Sequence, residues 1–356
     1  MKKYLLLPAM AVCCLTAVAQ DFDNTPTIEL KKNDFRFTVG ARMMADVAYY
    51  HSDFTPLKSG GSLSDARIRT SFAYKDWYFY ADFGFGGGKF SQKNIFAQWS
   101  RTNLKGATNY VKAGYYNDPG SMARNTSLAS YHFISRPGCT MALGIGRELG
   151  ISYKIQNKSF FLNQGISTDH AYNEQTAGFD GIAVSGRWLY RPVNDARNTF
   201  HIGVNARFAH NGNGKVVNNV LQRTLTLGQA METYVDGTQD LVSAELPWAN
   251  NVINVGAEVL YKNPKFFARG EFLWKHVTKS RDSYSLFEDA QDNIDCWGTY
   301  EAWLAANPLR DNNFYGGYVE LGYKIFGDPY TYNDSEAVLG GFSGKSLEIV
   351  ARYNYT

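Results

Sequence analysis

Arginines at even spacings are the residues of this chain best suited to chemistry. Arg36 and Arg42 lie in FRFTVGARMMADVAYY, Arg67 and Arg69 in DARIRTSFAY, and Arg187, Arg207 and Arg269 in later segments of similar pattern. A guanidinium is always charged and presents a planar fork of N–H donors, which suits carboxylate or phosphate groups. Even spacing matters because successive side chains of a β-strand point to opposite faces. The same register followed along every candidate strand puts fifteen basic residues on one face. Seven acidic residues share that face: Asp46, Asp82, Glu148, Glu258, Glu271, Glu320 and Glu348. The whole chain has 36 Lys and Arg against 33 Asp and Glu, so the excess is local. Two readings stay open. The basic face draws anions, or its charges are taken up by the seven acids and by loop carboxylates. A further group, Arg124, Arg136 and Arg147 with His132, falls in the long connection 117–147 amid small and apolar residues. It forms either a constriction or a solvated surface loop.

Other motifs offer less. The run GFGGGK at 84–89 has Phe83 where a phosphate-cradling loop needs its first Gly, and Phe90 where it needs Ser or Thr. It reads as a glycine-rich hairpin. The six histidines show no metal-ligand spacing. Glu288, Asp289, Asp292 and Asp295 read as a solvated acidic loop rather than a cation site. No nucleophile with a His partner singles itself out, so neither catalysis nor a cofactor is expected.

The elements that must position the arginines are strands. In 35–50, Phe35, Phe37, Val39, Ala41, Met43, Ala45, Val47 and Tyr49 share one face, and Arg36, Thr38, Arg42 and Asp46 the other. Comparable segments follow at 66–74, 77–85, 95–101, 110–116, 148–156, 159–167, 181–190, 200–210, 251–261, 264–277, 314–326 and 346–355, about thirteen strands in all. Short connections at 75–76, 102–109, 156–158, 191–199 and 261–263 alternate with long ones at 51–65, 117–147, 168–180, 211–250 and 278–313. That alternation predicts an all-β, antiparallel transmembrane barrel with lipid outside and water inside. The connection 327–345 breaks the rule, since it is long on the short-turn rim.

The N-terminus fixes the route. Lys2 and Lys3, an apolar run and Ala17-Val18-Ala19 predict a secretory leader over 1–19, cut before Gln20, with the barrel domain over 20–356. Cys13 and Cys14 raise a lipoprotein alternative, which the residues before them do not favour. Loss of two lysines with the leader leaves 34 basic against 33 acidic residues, a net +1 instead of +3, which gives no cause to expect nucleic acid. Aromatics at 15% suit interfacial girdles. Cys139 and Cys296 could pair or stay apart, and spacing does not decide.

Several stretches resemble the phosphate-selective porin O and P family. DARIRTSFAYKDWYFYADFGFGGGK is similar to its Arg-rich strand, tight turn, aromatic strand and Gly-Gly-Lys sequence. YVKAGYYNDPG resembles its "vGQFkxPfG" stretch, and SLASYHFISRPG with GRELGISY its approach to "GRxLG". GRWLYRP, FYGGYVELGYKIFGDP and SLEIVARYNYT resemble "GRxxYxP", "GxYvxxxyxxxG" and "WElaxRYSy". Asn117 stands where the family has a lysine, which weakens phosphate specificity. The resemblance implies a barrel of about 16 strands that assembles as a homotrimer, is inserted by the barrel-assembly machinery and is surrounded by outer-membrane lipid. It also implies that the third outward loop, with Arg124, Arg136 and Arg147, folds inward. The last motif sits early for the family, so the C-terminus reads as truncated.

These readings converge on an outer-membrane porin for small anionic or neutral solutes. The alternative is a receptor or adhesin whose loops 211–250 and 278–313 hold a ligand.

Overall fold

Dyad alternation becomes strand wherever one face can meet lipid and the other the interior. The computed structural model describes residues 27–53, 56–86, 90–168, 181–212, 214–217, 220–238, 240–279, 299–306, 309–341 and 344–356. Fourteen strands form one antiparallel sheet. They are β1 (Thr27–Lys32), β2 (Phe35–Ala48), β3 (Gly60–Tyr74), β4 (Trp77–Gly84), β5 (Ser91–Thr102), β6 (Thr108–Asn117) and β7 (Arg147–Gln156). Then come β8 (Phe160–Thr168), β9 (Ile182–Asn194), β10 (Thr199–His210), β14 (Ala249–Lys262), β15 (Phe266–Lys279), β16 (Asn312–Phe326) and β19 (Leu347–Tyr355). Each neighbour in this order is hydrogen-bonded to the next, and among the described residues β1 and β19 remain the two edges. Thirteen of these strands overlap the expected ones. The fourteenth, β1, pairs with β2 through a two-residue turn in which Asn33 has a φ of 52°.

Three of the short turns share one construction. Asn157 Oδ1 accepts from the Ser159 and Phe160 N–H groups, Asp195 Oδ1 from Arg197 and Asn198, and Asn263 Oδ1 from Lys265 and Phe266. An Asx side chain thus replaces backbone pairing where the chain must reverse. At the β3–β4 turn Lys75 has a φ of 52° and lies over the Tyr74 ring. It belongs to the rim, not to the inner face where its register had placed it. Above these turns the outward side chains are aromatic: Trp77 is 48% exposed, Phe160 49%, Tyr190 46% and Tyr323 51%. This row is the girdle a barrel sets at a membrane–water interface. No helix of the described residues is long and apolar enough to cross a membrane; crossing is the work of strands.

The dry core lies inside the sheet, not between layers. One cluster joins Met122, Ala123, Tyr131 and Cys139 of the 118–146 connection to Leu260, Phe267 and Tyr318 of the wall. It also takes in Val338 and Leu339 of β18 (Val338–Leu339), which pairs with β17 (Tyr332–Asn333) in a hairpin within 327–345. A second cluster packs Ala142 and Leu143 against Leu227 and Leu246, and these against Val252, Leu273 and Val277. Leu227 and Leu246 come from β12 (Val220–Ala230) and β13 (Asp240–Pro247), which with β11 (Gly214–Val217) form a small separate sheet. Of the long connections, 118–146 and the described parts of 211–250 and 327–345 are therefore structured, and they pack against the inner side of the wall.

Candidate functional site

The 118–146 connection carries two short helices, α1 (Met122–Asn125) and α2 (Gly138–Leu143), and its anchor is Glu271 on β15. Glu271 accepts from the Met122 N–H at 2.7 Å, the Ala123 N–H at 2.9 Å, the Tyr318 hydroxyl at 2.9 Å and the Ser121 hydroxyl at 3.3 Å. Unpaired N–H groups at the start of a helix need acceptors, and a carboxylate suits them best. The loop is tied on other sides too. Arg42 of β2 donates to Ser127 Oγ at 3.3 Å, the Gly138 N–H to Glu232 at 2.6 Å, and the Cys139 N–H to Asn354 of β19 at 3.0 Å. His132 meets Glu348 at 2.7 Å. Contacts with β2, β15 and β19 place the loop across the lumen.

The loop carries Arg124 and Arg136, whereas Arg147, expected in the loop, is the first residue of β7 and faces them from the wall. Arg124 donates to the Thr140 and Met141 carbonyls at 2.8 and 2.9 Å, and Arg136 to those of Ala123 and Thr126 at 2.9 and 2.8 Å. Arg147 donates to Asn94 Oδ1 at 2.8 Å. Among the described residues none of the three has a carboxylate within salt-bridge distance. Loss of hydration, then the nearby Arg136 charge, lowers Arg124 to about 10, so it remains protonated at neutral pH.

The wall arginines are arranged differently. Arg42 and Arg67 share Asp65, and Arg67 reaches Asp82 at 2.9 Å. Arg207 pairs with Glu148 at 2.5 Å, Arg269 with Glu320 at 2.5 Å, and Arg187 with Glu258 through a fork at 2.9 and 2.7 Å. Arg36 meets Glu29 of β1 at 2.9 Å on the exposed rim, and Arg69 is buried on the inner face beside Asp82 in register. Arg187 also donates to the Glu336 and Ala337 carbonyls, each at 2.8 Å, and so seats the hairpin. Arg191 holds Asp334 at 3.0 Å, and Lys154 the Ser335 carbonyl at 2.6 Å. A cavity of about 750 Å³ lies beneath this hairpin, between Lys158, Arg191 and Lys262 on the wall and Asp328 and Tyr330.

The filling is one-sided. Inner-face residues of β9, β10, β14, β15 and β16 are buried almost throughout, whereas those of β2, β5 and β6 are nearly all half-exposed. A lane therefore remains along β2, β5 and β6, with Tyr78 of β4 at its side, while Tyr80 and Asp82 of β4 are buried behind it. The anchor role of Glu271 was not legible in its own segment. Nor was the inner-face aromatic group Tyr78, Tyr80, Phe96 and Tyr116, although tyrosines on the polar side of a dyad strand are a usable signal. Residues 1–26, the acidic group at 288–295 and Cys296 lie outside the described residues; Cys139 is buried in the loop.

Long dyad strands, Asx-built turns on one rim, an aromatic girdle and an inward loop over a charged interior define an outer-membrane porin. The chain belongs to the phosphate-selective porin O and P family, whose family model matches residues 37–356. It is 21% identical over 260 residues to an uncharacterised protein of Caulobacter vibrioides, covering 69% of this chain and 46% of that protein, so it spans about half the relative's length. Among solved structures it is similar to the high-pH structure of Pseudomonas putida OprB. There the TM-score is 0.33 and the identity 12%, over 90% of this chain and 92% of the other.

Proposed function

We propose that this porin passes small solutes by diffusion, prefers anions such as phosphate, and carries out no reaction. The observation that carries the reading is the contrast between loop and wall. Wall arginines such as Arg187, Arg207 and Arg269 are matched by carboxylates, while among the described residues Arg124 and Arg136 on the inward loop and Arg147 at the start of β7 have none within salt-bridge distance. At an effective dielectric of about 20, one such charge about 8 Å from an ion is worth about 2 kcal/mol before salt screening. Three of them favour anions and oppose cations. Residues 211–250 support a channel over a receptor, because β12 and β13 pack back onto α2 through Leu227 and Leu246. The homotrimer implied by the resemblance belongs to the same proposal.

Reversal potential in planar bilayers under a salt gradient tests it. A shift to the anion side is expected, and Arg124→Gln, Arg136→Gln and Arg147→Gln together should remove most of it. Arg67→Gln alone should change it less, since Arg67 is shared between Asp65 and Asp82. A cation-side potential, or a triple variant as selective as the parent, would refute the anion preference.

A further inference from the structure

The lane wall beneath the constriction is aromatic, and neither simple anions nor the barrel's stability accounts for that. Tyr78 and Tyr80 of β4 stack at 6.2 Å, Tyr80 and Phe96 of β5 at 5.4 Å, and Phe96 meets Tyr116 of β6 edge-on at 6.4 Å. Their register puts all four on the inner face, with Tyr80 opposite Phe96 and Tyr78 opposite Gln98. They belong neither to the lipid-side girdle nor to the two large clusters that fill the other half of the lumen. Tyr80 and Tyr116 are buried as backing, while Phe96 and Tyr78 keep half-exposed surface toward the lane.

Polar and charged groups border the rings. Lys112, the inner-face partner of Gln98, holds its ammonium over the Phe96 ring at 4.7 Å from the centroid and over the Tyr116 ring at 5.3 Å. Among the described residues it has no carboxylate within salt-bridge distance. One inner-face step the other way, about 6.6 Å along β5, Asn94 accepts from Arg147. Gly114 lies opposite Phe96 at a φ of 138°, and a Cβ there would come within 2.7 Å of the Phe96 Cα. No side chain therefore stands between Lys112 and Tyr116 on that strand.

We infer that this wall is a binding site for ring-bearing anions, with sugar phosphates as the chemical class. The inference rests on the anion-porin reading and narrows it. Inorganic phosphate has no apolar face, so ring surface adds nothing to its binding. A sugar ring has C–H faces for Tyr78 and for the Phe96 face that Lys112 covers, hydroxyls for Gln98, and a phosphate that draws Lys112 off that face or reaches Arg147 on the other side. Spacing agrees, since one inner-face step separates the rings from either cation.

The test is the block of ion current through the protein in planar bilayers by glucose 6-phosphate, glucose and inorganic phosphate. Glucose 6-phosphate should block at a concentration about tenfold below either of the others, the scale of a good aromatic contact. Phe96→Leu should raise that concentration about tenfold and leave block by inorganic phosphate unchanged. Should Phe96→Leu fail to insert, Tyr78→Leu carries the same expectation. Equal block by glucose 6-phosphate and inorganic phosphate, equal block by glucose, or indifference to the inserted variant would each overturn the site. Reversal potential with no sugar phosphate present is read on the same membranes, so failure of the anion-porin reading shows separately.

Discussion

Replacing Glu271 with alanine is expected to widen the pore and weaken its anion preference. The carboxylate receives the Met122 and Ala123 N–H groups and the Ser121 and Tyr318 hydroxyls, in surroundings without solvent. Each donor left unmet in such a place costs about 1–3 kcal/mol, so three sum to about 3–9 kcal/mol. Burial of Met122 opposes release, but a fully buried side chain of that size is worth about 1.5–3 kcal/mol. The polar loss exceeds the anchorage of Met122; Tyr131, Cys139, Ala142 and Leu143 keep the rest of the loop seated, so it is the docked population of the α1 turn that should fall. Single-channel conductance should therefore rise, with the reversal potential moving toward zero. Glu271→Gln should be intermediate, because its amide keeps one acceptor while adding donors where donors already converge. A Glu271→Ala channel with the parent's conductance and selectivity would mean that the ties to β2 and β19 hold the loop unaided.

Arg187→Met should have the second large effect, on stability and on the hairpin. Arg187 is 1% exposed and forks onto Glu258 while holding the Glu336 and Ala337 carbonyls. Removing one partner of a buried ion pair costs about 3–5 kcal/mol, whereas replacing both by apolar residues is often close to neutral. Heat or urea unfolding should thus show a large loss for Arg187→Met and substantial recovery for Arg187→Met with Glu258→Leu. Conductance should separate the two roles. The double variant still lacks donors for the hairpin carbonyls, so it should stay more conductive than the parent despite its restored stability. Parent-like conductance in the double variant would show that Val338 and Leu339 seat the hairpin alone.

Strands were far more legible than the interior. Dyad patterning is local, so Phe35 to Tyr50 shows its two faces without knowledge of its neighbours, and 75–76 reads as a turn from its flanking aromatics. β1 was lost because TIELKK is short and ends in lysines, although Ile28 and Leu30 do alternate with Glu29 and Lys31. The sheet formed by β11 to β13 was read as loop, since Leu227 and Leu246 face a partner that only the fold supplies. The charge pairing depends on register: Arg269 and Glu320 lie directly opposite on β15 and β16, a relation absent from either segment alone. Glu271 illustrates the limit. Its alternation shows an inward acid, but three of the four groups that donate to it lie about 150 positions away in the chain. The exception at 327–345 was visible as an anomaly of length, and its meaning came only with Arg187.

The one-sided filling of the barrel separates two kinds of selection. Substitutions on β9, β10 and β14 to β16 strike residues packed in a dense interior and are judged first by whether the protein survives. Substitutions at the half-exposed positions of the opposite wall, such as Tyr78, Phe96, Gln98 and Lys112, touch water and passing cargo, and their cost to cohesion is small. Transport preference can then drift or be redirected by exchanging a few wall side chains, while the scaffold that makes transport possible is left alone. Descendants of one such barrel can come to feed on different nutrients without first becoming less robust.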